Sequence, residues 1–249
     1  MLVVSAAVGY FLLDFEQESD EQAPMDLQAY LGATHEMTEQ GKYAEALARY
    51  IWFHEHAREH DPSMSGVRLS FALCGWRRLA DEYPPALEAL VETRDRAVAK
   101  VRAGTGNWEV FNDLQSLNRH LDDDALTVEL FEYLHENQPA LADRVWTTAR
   151  SEVIASGNYE LAWEYIGNPM HELAAIRRSY EREYGQFDDD EEFAEFYQET
   201  QENRFVERTV DLIAVVARVG REDLAEQIGA EALETFWDPR IERAIGRDP

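Results

Sequence analysis

The chain has 249 residues, 45% of them hydrophobic, enough to bury a sizeable core as one elongated array or two small domains. Its 50 acidic residues against 23 basic ones give a formal charge of −27, which repels nucleic-acid phosphates and anionic lipid surfaces and sets both aside as partners. Cys74 is alone, so an intrachain disulfide and a disulfide-stapled secreted fold are excluded.

Met1–Leu13 is apolar but short of the roughly 20 residues that a spanning helix needs. It has no basic leader, and Asp14, Glu16 and Glu18 follow it, which suits a signal peptide poorly. Three readings fit the apolar and acidic extension 1–24: a short helix or strand packed on the domain, a translation start at Met25, or a weak membrane contact. The first two are preferred. The remainder, 25–249, reads as one helical domain, expected in the cytoplasm, with an irregular insertion at 167–204.

Pro24 and Asp26 open the first predicted helix, 26–40, whose Leu27, Tyr30, Leu31, Thr34 and Met37 fall on one stripe. Gly41 ends it. Over 42–60, Ala46, Tyr50, Phe53 and Ala57 recur three or four apart, a face that packs back onto the first helix. After Asp61-Pro62-Ser63 a third helix is expected over 64–80, carrying Val67, Phe71, Leu73, Cys74 and Trp76; its apolar setting makes Cys74 an inert core thiol. Pro84 and Pro85 suit a first helical turn, so the next helix covers 85–101 with Ala86, Leu90, Val91 and Val98. Gly104-Thr105-Gly106 then leads to helices 107–119 and 123–137, with Asp122 or Asp123 placed to cap the second. Pro139 opens 139–156, and 159–166 stops at Gly167-Asn168-Pro169. Beyond Pro169 come a helix at 171–184, an acidic loop at Gly185–Glu192, one long helix or two over 193–218, a helix at 222–236 and a short cap from Asp238 to Pro249. No stretch alternates long enough for a sheet, so the fold class is all-α.

One spacing recurs through this order. A turn residue is followed two places on by an aromatic, five on by alanine and nine on by a bulky apolar group: Gly41, Tyr43, Ala46 and Tyr50, then Asp81, Tyr83, Ala86 and Leu90, then Gly157, Tyr159, Ala162 and Ile166. Looser copies stand at His120 with Ala125 and Gly220 with Ala225. A period near 40 residues belongs to stacked helical hairpins.

These residues, with Pro62, resemble the tetratricopeptide repeats over about 26–166 and 205–239, and Ser65–Ala86 is similar to a segment of uncharacterised bacterial repeat proteins. The resemblance implies an α-solenoid of antiparallel helix pairs whose closely approaching helices meet at Ala46, Ala86, Ala125, Ala162 and Ala225. The units are longer than the family's usual 34 residues, Asp122 replaces the aromatic in the third, and 167–204 fits no unit. Such repeats bind peptides or partner domains along the concave face of the first helices. Here that face is expected to include Gln28, His35, Arg68, Phe71, Asn107, Arg144, Thr148 and Ser151. The family's carboxylate clamp is missing: Leu31, His35, Phe71, Gly75, Val110 and Leu114 stand at its positions, so a C-terminal EEVD-type peptide is not the expected ligand.

Candidate chemistry is sparse. His56 and His60 are four apart and can face one way as a zinc pair, but Ala57 stands where a metalloprotease needs glutamate, and His54-Glu55 finds Arg58 where it needs histidine. The stretch His54–His60 reads instead as solvated groups near a helix C-terminus. The acids at Asp188–Glu192 lack the alternation and central glycine of a calcium loop. Gly104-Thr105-Gly106 lacks the lysine of a phosphate loop, and the six tryptophans read mostly as packing residues. The sequence therefore points to a non-enzymatic adaptor without cofactor or bound metal, whose partner is a protein or peptide of basic or mixed charge. A self-assembling structural protein is the alternative, and a metal-dependent enzyme at His56 and His60 ranks third.

Overall fold

Every regular element among the described residues is helical. The computed structural model describes residues 25–183 and 191–247; the extension 1–24 and most of the acidic loop with its calcium reading lie outside them. The helices are α1 (Leu27–Glu39), α2 (Tyr43–His60), α3 (Ser65–Leu69), α4 (Phe71–Glu82), α5 (Pro84–Arg102), α6 (Trp108–His120), α7 (Asp124–Asn137), α8 (Pro139–Ala155), α9 (Tyr159–Ile166), α10 (Pro169–Glu183), α11 (Glu191–Arg218), α12 (Glu222–Thr235) and α13 (Pro239–Ala244). The 193–218 segment is thus part of one continuous helix.

Local chemistry explains the boundaries. The Asp26 carboxylate accepts from the amides of Gln28 at 3.0 Å and Ala29 at 2.9 Å, satisfying two donors at the start of α1. Prolines occupy the first turns of α5, α8 and α13. Residues at positive φ stand in the helix-to-helix turns at Gly41, Gly104, Gly157, Gly167, Gly220 and, at φ 55°, Asp122. Asp122 takes the glycine's place there because a short polar side chain tolerates that conformation better than most. The third turn is therefore centred on Asp122 and not on His120. Counting five on gives Thr127, which is fully buried, whereas Ala125 is exposed. Thr127 suits that place because its hydroxyl accepts from the buried Asn118 amide at 2.9 Å. Neither aspartate caps α7 with its side chain; Asp123 instead accepts from Arg94 at 2.8 Å.

The helix expected over 64–80 is broken. Pro62–Met64 forms a 3-10 turn, α3 follows, and at Ser70 (φ −119°, ψ −87°) the chain changes direction into α4. The Ser70 hydroxyl donates to the Gly66 carbonyl at 2.7 Å, a local bond that competes with helical pairing. On α4 the buried stripe is Ala72, Leu73, Trp76, Leu79 and Ala80. Cys74 lies off that stripe and is exposed, so it is not the core thiol that its neighbours in sequence suggest.

Packing follows chain order. α1 rests on α2, α2 on α4, α4 on α5, α5 on α6, α7 on α8, α8 on α9 and α11 on α12; α4 also meets α6, α6 meets α8, and α8 meets α11. Ala46, Ala86 and Ala162 have no exposed surface and Ala225 is 3% exposed, so small side chains do sit at these contacts. Trp76 adds a hydrogen bond, its indole donating to the Ala86 carbonyl at 3.0 Å. Where α1 crosses α4, a Cβ on Gly75 would come within 2.5 Å of the Tyr50 hydroxyl and 2.6 Å of His35 Nε2. A side chain there would have to displace the tips of both rings.

Candidate functional site

α8 supplies a wall shared by two open surface clefts. Leu141, Ala142, Val145, Ala149 and Val153 bury one side of it, and the opposite side shows Arg144, Thr147, Ser151 and Ala155 to solvent. A cleft of about 480 Å³ lies between this side and Arg119, Asp124, Ala125 and Val128 of α6 and α7. A second, of about 580 Å³, lies between it and Arg204, Glu207, Arg208 and Asp211 of α11. Ser151 and Ala155 line both clefts, so the two adjoin along α8 and are taken together as the trough. Its floor is low because those two side chains are small.

The two halves of the trough carry different charge. In the first, Glu152 is 7% exposed; its Oε1 accepts from Gln115 at 2.6 Å and Arg119 at 3.1 Å, while its Oε2 is buried without a partner. In the second, Arg150 and Arg208 donate to the same Oε1 of Glu172, at 2.9 and 3.2 Å. Burial, and then the Arg150 guanidinium beside it, pull the Arg208 pKa down against the opposing pull of Glu172. The Asp211 side chain makes no hydrogen bond or ion pair within the described residues, and burial pushes its carboxyl up although Arg150 draws it back.

A smaller cavity of about 250 Å³ opens between α2, α3, α5 and α6. Arg68, expected on an open face, is buried in its wall at 5% exposure. Its guanidinium forks onto Asp113, with Nη1 to Oδ2 at 3.0 Å and Nη2 to Oδ1, and Nη1 also donates to the His54 carbonyl at 3.2 Å. This pairing draws α3 against α6. His54, read as solvated, is buried too; burial first and Arg68 second lower its pKa to about 4, so the ring is neutral at physiological pH.

The other expected face residues take varied places. Gln28 is exposed in the first turn of α1, and His35 is wedged against Tyr50 with ring centroids 5.9 Å apart. Asn107 caps α6, its side chain accepting from the Val110 amide at 2.9 Å. Phe71 is 69% exposed at the start of α4. Arg144 is exposed and Thr148 half-buried, both on α8, but of the eight only Ser151 lines the trough. The trough's charged residues were missed, although Arg150 gives a readable signal: it stands four residues from both Trp146 and Ile154, inside an apolar stripe. His56 and His60 flank the Trp52 ring at 5.6 and 5.4 Å, and among the described residues no three His, Cys, Asp or Glu side chains gather to hold a metal. Among the tryptophans, Trp76 is buried, whereas Trp108 and Trp237 are exposed. No helix among the described residues is long and apolar enough to cross a membrane.

Comparison with protein-family models, with characterised proteins and with solved structures finds no match to this chain.

Proposed function

We infer that the helix pairs stack as a tetratricopeptide-like solenoid in the cytoplasm, and that the trough over α8 binds a peptide or protein segment without chemical conversion of it. Two features support the stacked arrangement: contacts that join helices in chain order, and left-handed turns at Gly41, Asp122, Gly157 and Gly220. The observation that carries the binding role is the shared floor at Ser151 and Ala155, which joins two clefts into a length of groove suited to an extended chain. Charge defines the segment's class. Asp124 and the half-satisfied Glu152 match a basic side chain, and Arg150, Arg204 and Arg208 match an acidic one, so the partner is of mixed charge.

The test is capture from the source cell with crosslinking, using the full chain and a Ser151→Arg, Ala155→Arg double variant that raises the floor. One partner recovered at low salt, weakened at high salt and lost with the variant is the expected result. Equal recovery by the variant, or no partner specific to the wild-type chain, refutes the reading.

A further inference from the structure

We propose that the apolar segment Met1–Leu13 docks on the chain's own α1 and α4, beside Phe71, and closes that end of the expected binding face to outside partners. Helix directions define the docking surface. α2 runs antiparallel to α1, with the Tyr30 and Phe53 ring centroids 6.2 Å apart, and antiparallel to α4, with those of Tyr43 and Tyr83 5.9 Å apart, so α1 and α4 run parallel. Gly75 of α4 faces His35 of α1 where the two helices meet. One turn earlier on each helix, Phe71 stands level with Leu31, beside the exposed Gln28 and Gly32 on the side of α1 that carries His35.

Phe71 is the most exposed large apolar side chain among the described residues. Gly32 lies inside α1, where glycine costs helix stability relative to alanine, yet no described heavy atom comes within 4 Å of the place its Cβ would take. A chain laid closely over both accounts for the two together: it covers the ring, and it can approach the helix because no side chain stands at Gly32. The extension is the chain best placed to do so. It joins α1 at Met25, which is itself 49% exposed and only about 9 Å along the helix axis from the level of Phe71. Met1–Leu13 carries no charged side chain, and the 11 residues from Asp14 to Pro24 can span up to about 36 Å, so the segment reaches the face easily. Its tether holds it there at an effective concentration on the order of millimolar. Phe196 and Trp237, the next most exposed, lie on α11 and after α12, at the other end of the packing order.

Cys74, three residues on from Phe71 and exposed, is the chain's one cysteine and can report on this face. The experiment measures how fast a thiol reagent labels it in the full chain without denaturant, with circular dichroism to show that each variant stays folded. A Phe11→Asp, Leu12→Asp double variant, which charges the segment, and Gly32→Gln, which fills the space above α1, should each speed labelling about tenfold or more, as expected when a covered state that outweighs the open one by that factor is lost. Gly32→Gln separates undocking from loosening of the fold, because glutamine strengthens a bare helix. Leu87→Ser, at an exposed apolar position on α5, should leave the rate unchanged. Equal labelling of the wild-type chain and either variant, or protection that disappears on dilution and so comes from the segment of a second copy, overturns the proposal.

Discussion

Two arginines are buried in the walls of clefts, and their partners differ. Arg68 meets a carboxylate that takes both terminal nitrogens, so Arg68 and Asp113 form a closed, neutral unit that fastens α3 to α6. Arg150 shares a single oxygen of Glu172 with Arg208, while Asp211 nearby pairs with neither. The first arrangement leaves its own ion pair complete; the second leaves charge over, on a surface open to solvent. Matched pairing of this kind holds elements together, whereas an unmatched cluster is set up to be completed from outside.

The largest expected effect tests the closed unit. Asp113→Ala leaves a guanidinium that is 5% exposed without its counter-charge, and should cost about 3–5 kcal/mol in urea unfolding. A paired Arg68→Met, Asp113→Leu replacement should recover most of that loss, because apolar groups of similar size need no partner. Glu172→Ala should cost less, since Arg208 keeps 32% of its side-chain surface in water and Asp211 stands near Arg150. An equal or greater loss at Glu172 would break the contrast between the two regions.

The next effect is a pH dependence. His54 titrates at about 4 in the folded chain and near 6.5 when unfolded, so between those values the unfolded state binds a proton that the native state refuses. Stability from this group is complete above the unfolded pKa and is lost as pH falls towards the folded one, by about 3 kcal/mol in all. Chemical unfolding from about pH 7 to about pH 4 should show that fall, and His54→Gln should flatten it. The same slope in the variant would mean that the buried ring is not the group that titrates.

The helix boundaries and most of the core were readable because turn residues and apolar spacing act locally. Gly41, Gly157 and Gly220 mark turns by themselves, and Ala46, Ala86 and Ala162 mark close contacts. The signal failed where a tertiary partner decided the outcome. Asp122 adopts a glycine's conformation and Thr127 replaces alanine beside Asn118, so the third turn reads two residues early. Arg68 looks like a surface arginine until Asp113, 45 residues away, is known to face it. Of the residues expected on a binding face, Ser151 alone falls in the trough, because its other wall comes from α11 across an insertion whose packing no period describes. Arg150 alone announced itself, as a charge among apolar neighbours.

The smallest expected effect concerns Asp211, and its sign runs opposite to that of the histidine. Burial raises the folded carboxyl pKa, so the native state holds its proton more tightly than the unfolded chain does. Below the unfolded carboxylate pKa both states are protonated and the group has no effect; as pH rises through and above it, the wild-type chain loses stability. Asp211→Asn keeps the shape and removes the charge, so at neutral pH the variant should be more stable, by less than either loss above. At acidic pH the two proteins should converge. If the trough takes a segment of mixed charge, the stabilised variant should also bind it more weakly, because the carboxylate that costs stability in the free chain is one of the groups offered to the partner. A loss of stability in Asp211→Asn would mean that this carboxylate is already paired, as Asp113 is, and that both clusters are closed.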